Sequence, residues 1–249
     1  MSNTQTLAEA VARSVIERTP LPAFPDQLSM EAGYVVARLA AARVADDDHT
    51  TAFAGLKAGL TDAAIQKHFG LEEALIGHLY VGRQISSGAS LPHHGKSLIE
   101  CELAIRVDGE GRPLSVAPAL EFVHLDFASR ADMTPANLVA SNLGADTFLV
   151  GEPLPWCDQT LAELAGASVR LLRDGEPLLE ASITASLGGP EKALAWMLAQ
   201  ARQRDWPLSG ETVLLTGTVG QPVPFQPGAY RMECQLEHGT TRALSFRIA

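Results

Sequence analysis

Residues 97–107 read SLIECELAIRV, an alternating run that looks like a buried strand yet carries two acids, Glu100 and Glu102. Side chains alternate across a strand, so these two acids share one face and Ile99, Cys101 and Leu103 share the other. Two carboxylates about 7 Å apart along a strand repel each other and are costly to desolvate unless a positive charge lies between them. The pattern fits two readings. One is an amphipathic strand with its polar face in water. The other is a buried acidic face that holds a divalent cation, and oxygen ligands without His or Cys favour a hard ion such as Mg²⁺ or Mn²⁺. A third acid would come from PALEFVHLDF (118–127), which offers Glu121 and Asp126; Glu121, set between Leu120 and Phe122, is the better candidate.

Working outward, 249 residues are enough for one large domain with a substantial core. A content of 46% hydrophobic and 19% charged residues belongs to a globular chain and excludes a disordered one. The formal net charge of −10 argues against a nucleic-acid surface and against attraction to anionic membranes, leaving small molecules or other proteins as partners. The N-terminal residues lack the basic-then-apolar order of a secretory signal, and no apolar stretch reaches the roughly 18–20 residues of a membrane span. A cytoplasmic location is therefore expected. Cys101, Cys157 and Cys234 have no metal-ligand spacing and are read as structural thiols in a reducing compartment.

Two amphipathic helices are expected in an N-terminal helical segment, residues 1–50: one over 7–18 and a second beginning after Ser29 as N-cap. Residues 51–249 then form one β-rich unit. TAFAGLKAGL (51–60) reads as a strand, and Thr61 caps a short helix closed by Gly70. LEEALIGHLYVGRQIS (71–86) is ambiguous, and GASLPHHGKS (88–97) is a loop whose adjacent His93 and His94 do not make a metal pair. DGEGRP (108–113) is a turn, followed by helix or loop before PALEFV. Residues 168–184 form a hairpin turning at Arg173-Asp174-Gly175-Glu176, Pro190 opens a helix, and the tail supplies three strands. Many strands, few long helices and no βαβ rhythm point to an α+β fold with a rolled, barrel-like mixed sheet.

Several motifs occur in a characteristic order: FPDQLSMEAGYVVAR (24–38), GLKAGLTDAAIQKHFG (55–70), the ExE strand, PALEFV, LVASNLGADTFLVG (138–151) and LLTGTV (214–219). Together they resemble the 2-oxopent-4-enoate hydratase and 4-oxalocrotonate decarboxylase family, within the fumarylacetoacetate hydrolase superfamily. The resemblance runs from about Pro20 to Ile248. It implies a mixed β-roll, a Mg²⁺ or Mn²⁺ site at Glu100, Glu102 and Glu121, and a catalytic role for Lys57 in a K-x-G-L-T motif. It also marks Asn142, Thr216 and Gly217 as substrate-binding. The activity it implies is lyase action on a short unsaturated 2-oxo acid in the meta-cleavage catabolism of aromatic compounds. Hydration of 2-oxopent-4-enoate stands first, with 4-oxalocrotonate decarboxylation, acylpyruvate-type C–C hydrolysis and a non-catalytic metal-binding paralogue as alternatives. A homo-oligomer, able to associate with a related pathway enzyme, is implied as well.

Three departures from that family's pattern stand out. Hydratases of the family carry an acid where this chain has Leu75, and decarboxylases are apolar there. Glu72, Glu73 and His78 are nearby substitutes, although Glu72 and Glu73 also read as surface charges. The family's D-N-x-S segment becomes Ser141-Asn142-Leu143-Gly144, and its S-R pair after the third acid becomes Leu125-Asp126. Lys57 without the resemblance would read as a surface lysine on a strand.

Overall fold

The SLIECELAIRV stretch folds as a single long strand at the centre of the protein, seen here in a computed structural model that describes residues 3–47, 53–206, 208 and 210–249. Helices α1 (Asn3–Glu17) and α2 (Met30–Asp47) come first, followed by β1 (Phe53–Gly59), α3 (Ala63–Phe69), β2 (Leu75–Tyr80), β3 (Gln84–Ile85) and β4 (Ser90–Leu91). The central hairpin is β5 (Ser97–Val107) and β6 (Pro113–His124). Then come α4 (Pro135–Ala140), β7 (Ala145–Val150), β8 (Leu154–Pro155), α5 (Asp158–Ala165), β9 (Ser168–Arg173) and β10 (Glu176–Ser182). The chain ends with α6 (Pro190–Gln203), β11 (Thr212–Leu215), β12 (Val223–Pro224), β13 (Gly228–Gln235) and β14 (Thr241–Ile248).

One mixed sheet runs β2-β1-β11-β5-β6-β7-β3, with β1 parallel to β11 and β3 parallel to β7. It curls until β2 meets β7, giving the barrel-like α+β architecture expected. A second sheet, β10-β9-β13-β14-β4, packs across it. The two faces of β5 have different neighbours. Ile99, Cys101, Leu103, Ile105 and Val107 point into the main core, where α6 and the second sheet meet them. The other face looks inside the curl, where Leu79, Ala104, Ala119, Phe148, Val213 and Leu215 form a narrow core. Filled by side chains, the curl is a packed interior rather than a pore.

Helices α1 and α2 pack on each other and, through Val36, Ala40 and Val44, on Tyr80, Ala140 and Ala145. Alanines along α2 let it approach closely: Gly33 has no room for a side chain, since a Cβ there would lie 2.7 Å from the Ala136 carbonyl. Part of the acidic tract at 45–49 lies outside the described residues.

The structure corrects several local expectations. Residues 114–117 are not helix or loop but part of β6, which begins at Pro113 of the expected turn. The ambiguous segment 71–86 holds strands β2 and β3, and α4 and α5 were not foreseen. The cap of α3 is Asp62, not Thr61: its carboxylate accepts from the N–H groups of Ala64 and Ile65. Residues 90–91 of the expected loop pair with β14.

Candidate active site

The register of four strands brings the expected site residues into one place. Lys57 on β1 lies beside Leu215 on β11, which lies beside Ala104 on β5. Glu102 is two residues before Ala104 and shares its face, while Glu100 stands directly opposite Glu121 on β6. Lys57, Glu102 and Glu121 thereby enter the inside of the curl. Glu102 is 0% and Glu121 1% exposed, which excludes the wet-strand reading of the ExE face. Glu100 is half-buried and forms the rim.

Each of the three glutamates offers a carboxylate oxygen, and these oxygens all lie within 4.8 Å of one another. Lys57 Nζ stands 2.5 Å from Glu121 Oε1, with both side chains 1% exposed. One ammonium cannot neutralise three carboxylates. Glu102 Oε1 and Glu121 Oε2 are buried without a hydrogen-bond partner, a costly state that a cation would relieve. The donor set, three carboxylates with no His or Cys, fits a hard divalent ion.

The electrostatics record the same imbalance. Burial, and then the charges of Glu121 and Glu100, push the Glu102 carboxyl well above the usual range, against the lowering effect of Lys57 and the Gly217 N–H. Burial raises Glu121 to about 7 although Lys57 opposes it. Burial alone would depress Lys57, but the surrounding carboxylates, led by Glu121, outweigh it and the ammonium is favoured. The thiol of Cys101, on the opposite face of β5, is raised by burial and is inert.

Asn142, Thr216 and Gly217 are gathered around the same centre, with their polar groups engaged by the protein. The Gly217 N–H donates to Glu102 Oε2 at 2.7 Å, in a turn with φ 89° that glycine adopts without strain. Thr216 Oγ1 accepts from the Leu103 N–H at 3.3 Å, and its carbonyl accepts from Ser186 Oγ at 2.7 Å. The Asn142 amide bonds the backbone of His78 on both sides and the Tyr80 hydroxyl. Sequence reasoning missed two further participants. The Leu143 carbonyl accepts from Lys57 Nζ at 3.2 Å. Gly77 lies against Lys57, where a Cβ would come 3.4 Å from Lys57 Cγ and 2.9 Å from Asn142 Oδ1. A backbone carbonyl carries no sequence signal, whereas the glycine was visible but unread.

Leu143, whose carbonyl Lys57 bonds, belongs to a hydrocarbon cluster. Leu75, Leu143, Leu138, Val139 and Phe127 form one buried cluster with Leu125 against it. None of the nearby polar residues replaces an acid at Leu75. Glu73 is held by α6, accepting from Trp196 Nε1 at 3.0 Å and Gln200 Nε2 at 2.7 Å. His78 projects from the opposite face of β2, between the rings of Phe53 and Trp206 at 4.5 and 4.1 Å. The departures at 125 and 144 prove to be neighbours: a Cβ on Gly144 would lie 2.7 Å from Leu125 Cγ.

No protein-family profile matches the chain. Curated relatives include the TodF product hydratase of Pseudomonas putida, 25% identical over 231 residues that cover 87% of this chain and 84% of that protein. The 2-keto-4-pentenoate hydratase of Burkholderia vietnamiensis is 26% identical, covering 68% of this chain and 69% of its own. Among solved structures, 4-oxalocrotonate decarboxylase from Pseudomonas putida G7, complexed with magnesium and adipate, superposes with a TM-score of 0.82 at 20% identity, over 99% of this chain and 97% of that one. Fumarylpyruvate hydrolase from Pseudomonas aeruginosa, with Mn²⁺ and pyruvate, gives a TM-score of 0.54 at 17% identity, over 78% and 88%. Among the described residues no helix is long and apolar enough to cross a membrane.

Proposed function

We propose, from the premise that the chain belongs to the 2-oxopent-4-enoate hydratase and 4-oxalocrotonate decarboxylase family of the fumarylacetoacetate hydrolase superfamily, that it is a divalent-metal-dependent lyase of short unsaturated 2-oxo acids. Hydration of 2-oxopent-4-enoate to 4-hydroxy-2-oxopentanoate is the reading that its hydratase relatives support best. The observation that carries a metal-dependent reaction is the group of three carboxylates facing a single buried ammonium. Glu100, Glu102 and Glu121 are the proposed ligands, of Mg²⁺ or Mn²⁺. A cation held there supplies Lewis acidity toward the negative charge that builds on the 2-oxo oxygen.

The chain's own residues account for the rest. Gly217 fixes the Glu102 carboxylate through its N–H, so one oxygen is oriented before any ligand arrives. Lys57, kept cationic by the acids around it, offers Nζ either as a partner for a substrate carboxylate or as the atom that holds and passes a proton. Burial of Lys57 and Glu121 at 1% exposure removes competing water and strengthens both roles.

A second reading, decarboxylation of a 4-oxalocrotonate-type diacid, is favoured by one observation: Leu75 is buried in a hydrocarbon cluster where a hydratase of this family has an acid to serve water addition. The discriminating experiment incubates the purified protein and Mg²⁺ with 2-hydroxypenta-2,4-dienoate or with 2-oxohex-3-enedioate, following ultraviolet absorbance and CO₂ release. Loss of the dienoate without CO₂ is expected. CO₂ from the diacid selects the second reading, and no reaction with either refutes the lyase. The proposal includes a role in aromatic catabolism and assembly as a homo-oligomer, the latter read by light scattering of the eluting protein.

A further inference from the structure

We infer that the turn Asn142-Leu143-Gly144 is a positioning device for Lys57 and that Asn142 is the residue that holds it. The inference rests on the reading of Lys57 as the working cation of a lyase site and adds what orients it. All three residues of the turn are left-handed, with φ of 54°, 55° and 67°. Glycine adopts such a backbone freely and asparagine tolerates it, but leucine is disfavoured there, so the conformation persists only if the surroundings impose it.

What imposes it is on β2. Asn142 Oδ1 accepts from the His78 N–H at 2.8 Å, and Nδ2 donates to the His78 carbonyl at 3.0 Å and to the Tyr80 hydroxyl at 2.9 Å. Both donors of the amide and its acceptor are used, and the residue is 1% exposed. The side chain thus pairs with β2 as a strand neighbour would. Gly77, next to His78, makes room, since any Cβ there would meet the Asn142 oxygen at 2.9 Å.

The consequence is the direction of one carbonyl. In a turn of ordinary hand a surface carbonyl takes its hydrogen bond from water; here the Leu143 carbonyl is turned inward and accepts from Lys57 Nζ at 3.2 Å. Nζ also meets Glu121 Oε1 at 2.5 Å. An ammonium has three N–H donors. With one fixed on a neutral carbonyl and one on a carboxylate, the direction of the third is set and is left for substrate. Without the turn, the flexible lysine stem would let Nζ swing among the three acids. Asn142 is accordingly a positioning residue that acts through Leu143 and does not itself touch substrate.

The chain has four lysines, at 57, 67, 96 and 192, of which Lys57 alone is buried. Spectra of protein labelled with ¹³Cε-lysine and loaded with Mg²⁺ therefore read Lys57 individually, assigned by its absence from Lys57→Met. In the wild type its two ε-methylene protons are expected to be inequivalent, the signature of an immobilised stem. Asn142→Ala should merge them and lower kcat at least about 10-fold, in line with the cost of misplacing a catalytic group by about 1 Å, while KM and Mg²⁺ affinity stay within about 3-fold. A Lys57 signal and kcat unchanged in Asn142→Ala would overturn the inference, as would equal losses in Mg²⁺ affinity and kcat. Should Asn142→Ala fail to fold, Asn142→Gly keeps the left-handed backbone without the amide and is judged by the same criteria. If the wild type turns over neither candidate substrate, the lyase reading falls and the spectroscopic arm still decides whether the turn holds Lys57.

Discussion

The two sides of Lys57 are built from opposite materials. Toward β5 and β6 it meets acids that are buried, close together and short of positive charge. On its other side it meets Gly77 and the Leu143 carbonyl, and Leu143 belongs with Leu75 to a buried hydrocarbon cluster. The first side holds the three acids proposed as metal ligands, and the second holds Leu75, with Leu125 packed against the same cluster, two of the positions that depart from the pattern of the family the sequence resembles. The proposed metal ligands thus rest on a strand register, whereas the opposite side is a wall of packed side chains.

The largest expected effect breaks the acidic side. Glu102→Gln keeps the volume and can still accept from the Gly217 N–H, but removes a charge from the proposed ligand set. Metal affinity and metal-dependent activity should each fall at least about 100-fold, more than the loss typical of a residue outside the ligand shell. The circular dichroism spectrum should be unchanged, because the mutation relieves repulsion between buried carboxylates. Calorimetric titration with Mn²⁺ measures the first quantity, and an unaltered affinity would remove the metal centre from this face.

A second effect, of a few kcal/mol, follows from how these acids titrate. Burial holds Glu102 well above its normal pKa and Glu121 at about 7. A carboxyl whose folded pKa is raised contributes stability that is present below its unfolded value and is lost as pH rises through the folded one. Metal-free protein should therefore lose stability as pH climbs from about 4.5 through 7, by on the order of 3 kcal/mol for a shift the size of Glu121's. A bound divalent ion compensates the ionised forms, so saturating Mg²⁺ should abolish the slope. His78 titrates with the opposite sign: burial depresses it to about 4, so its contribution is lost on acidification. It lies on the far face of β2 and cancels when denaturation curves with and without Mg²⁺ are subtracted. A difference curve flat with pH would contradict the charge imbalance.

The acidic side was the part of the molecule that could be read from the sequence, and the reasons are local. Alternation along residues 97–107 assigns Glu100 and Glu102 to one face whatever the fold, and charge inside an apolar run is conspicuous. Lys57 and Glu121 followed because their motifs keep order along the chain. Burial could not be read: the alternation of β5 suits a half-wet strand equally well, and only the curl of the sheet puts that face indoors. The start of β6 was misread because Pro113 opens it and Pro118 interrupts it, and proline ordinarily demotes a strand. Helix α4 was missed because Ala136 to Ala140 are all buried, leaving no polar face to give a helical period. For Asn142 and Thr216 the residue types were visible but not their directions, and direction decides whether an amide meets substrate or the neighbouring strand.

The smallest effect sharpens the hydrocarbon side. Leu125 and Gly144, two positions that depart from the pattern of the family the sequence resembles, lie against each other. A side chain at 144 would press into Leu125 at 2.7 Å and approach the His124 carbonyl at 3.0 Å. A hydroxymethyl group at 144 and a leucine at 125 thus compete for the same space. Gly144→Ser alone should destabilise the protein by about 1–3 kcal/mol, through overpacking added to the strain of a Cβ at φ 67°. In the background of Leu125→Ser, which vacates the space, the same substitution should cost about 1 kcal/mol less, within the range of coupling between touching residues. Chemical denaturation of the four proteins in this double-mutant cycle measures the coupling directly. If the two costs simply add, the two positions pack independently; a positive coupling makes them one packed surface, which must be changed as a unit before a polar group can be accommodated at 144.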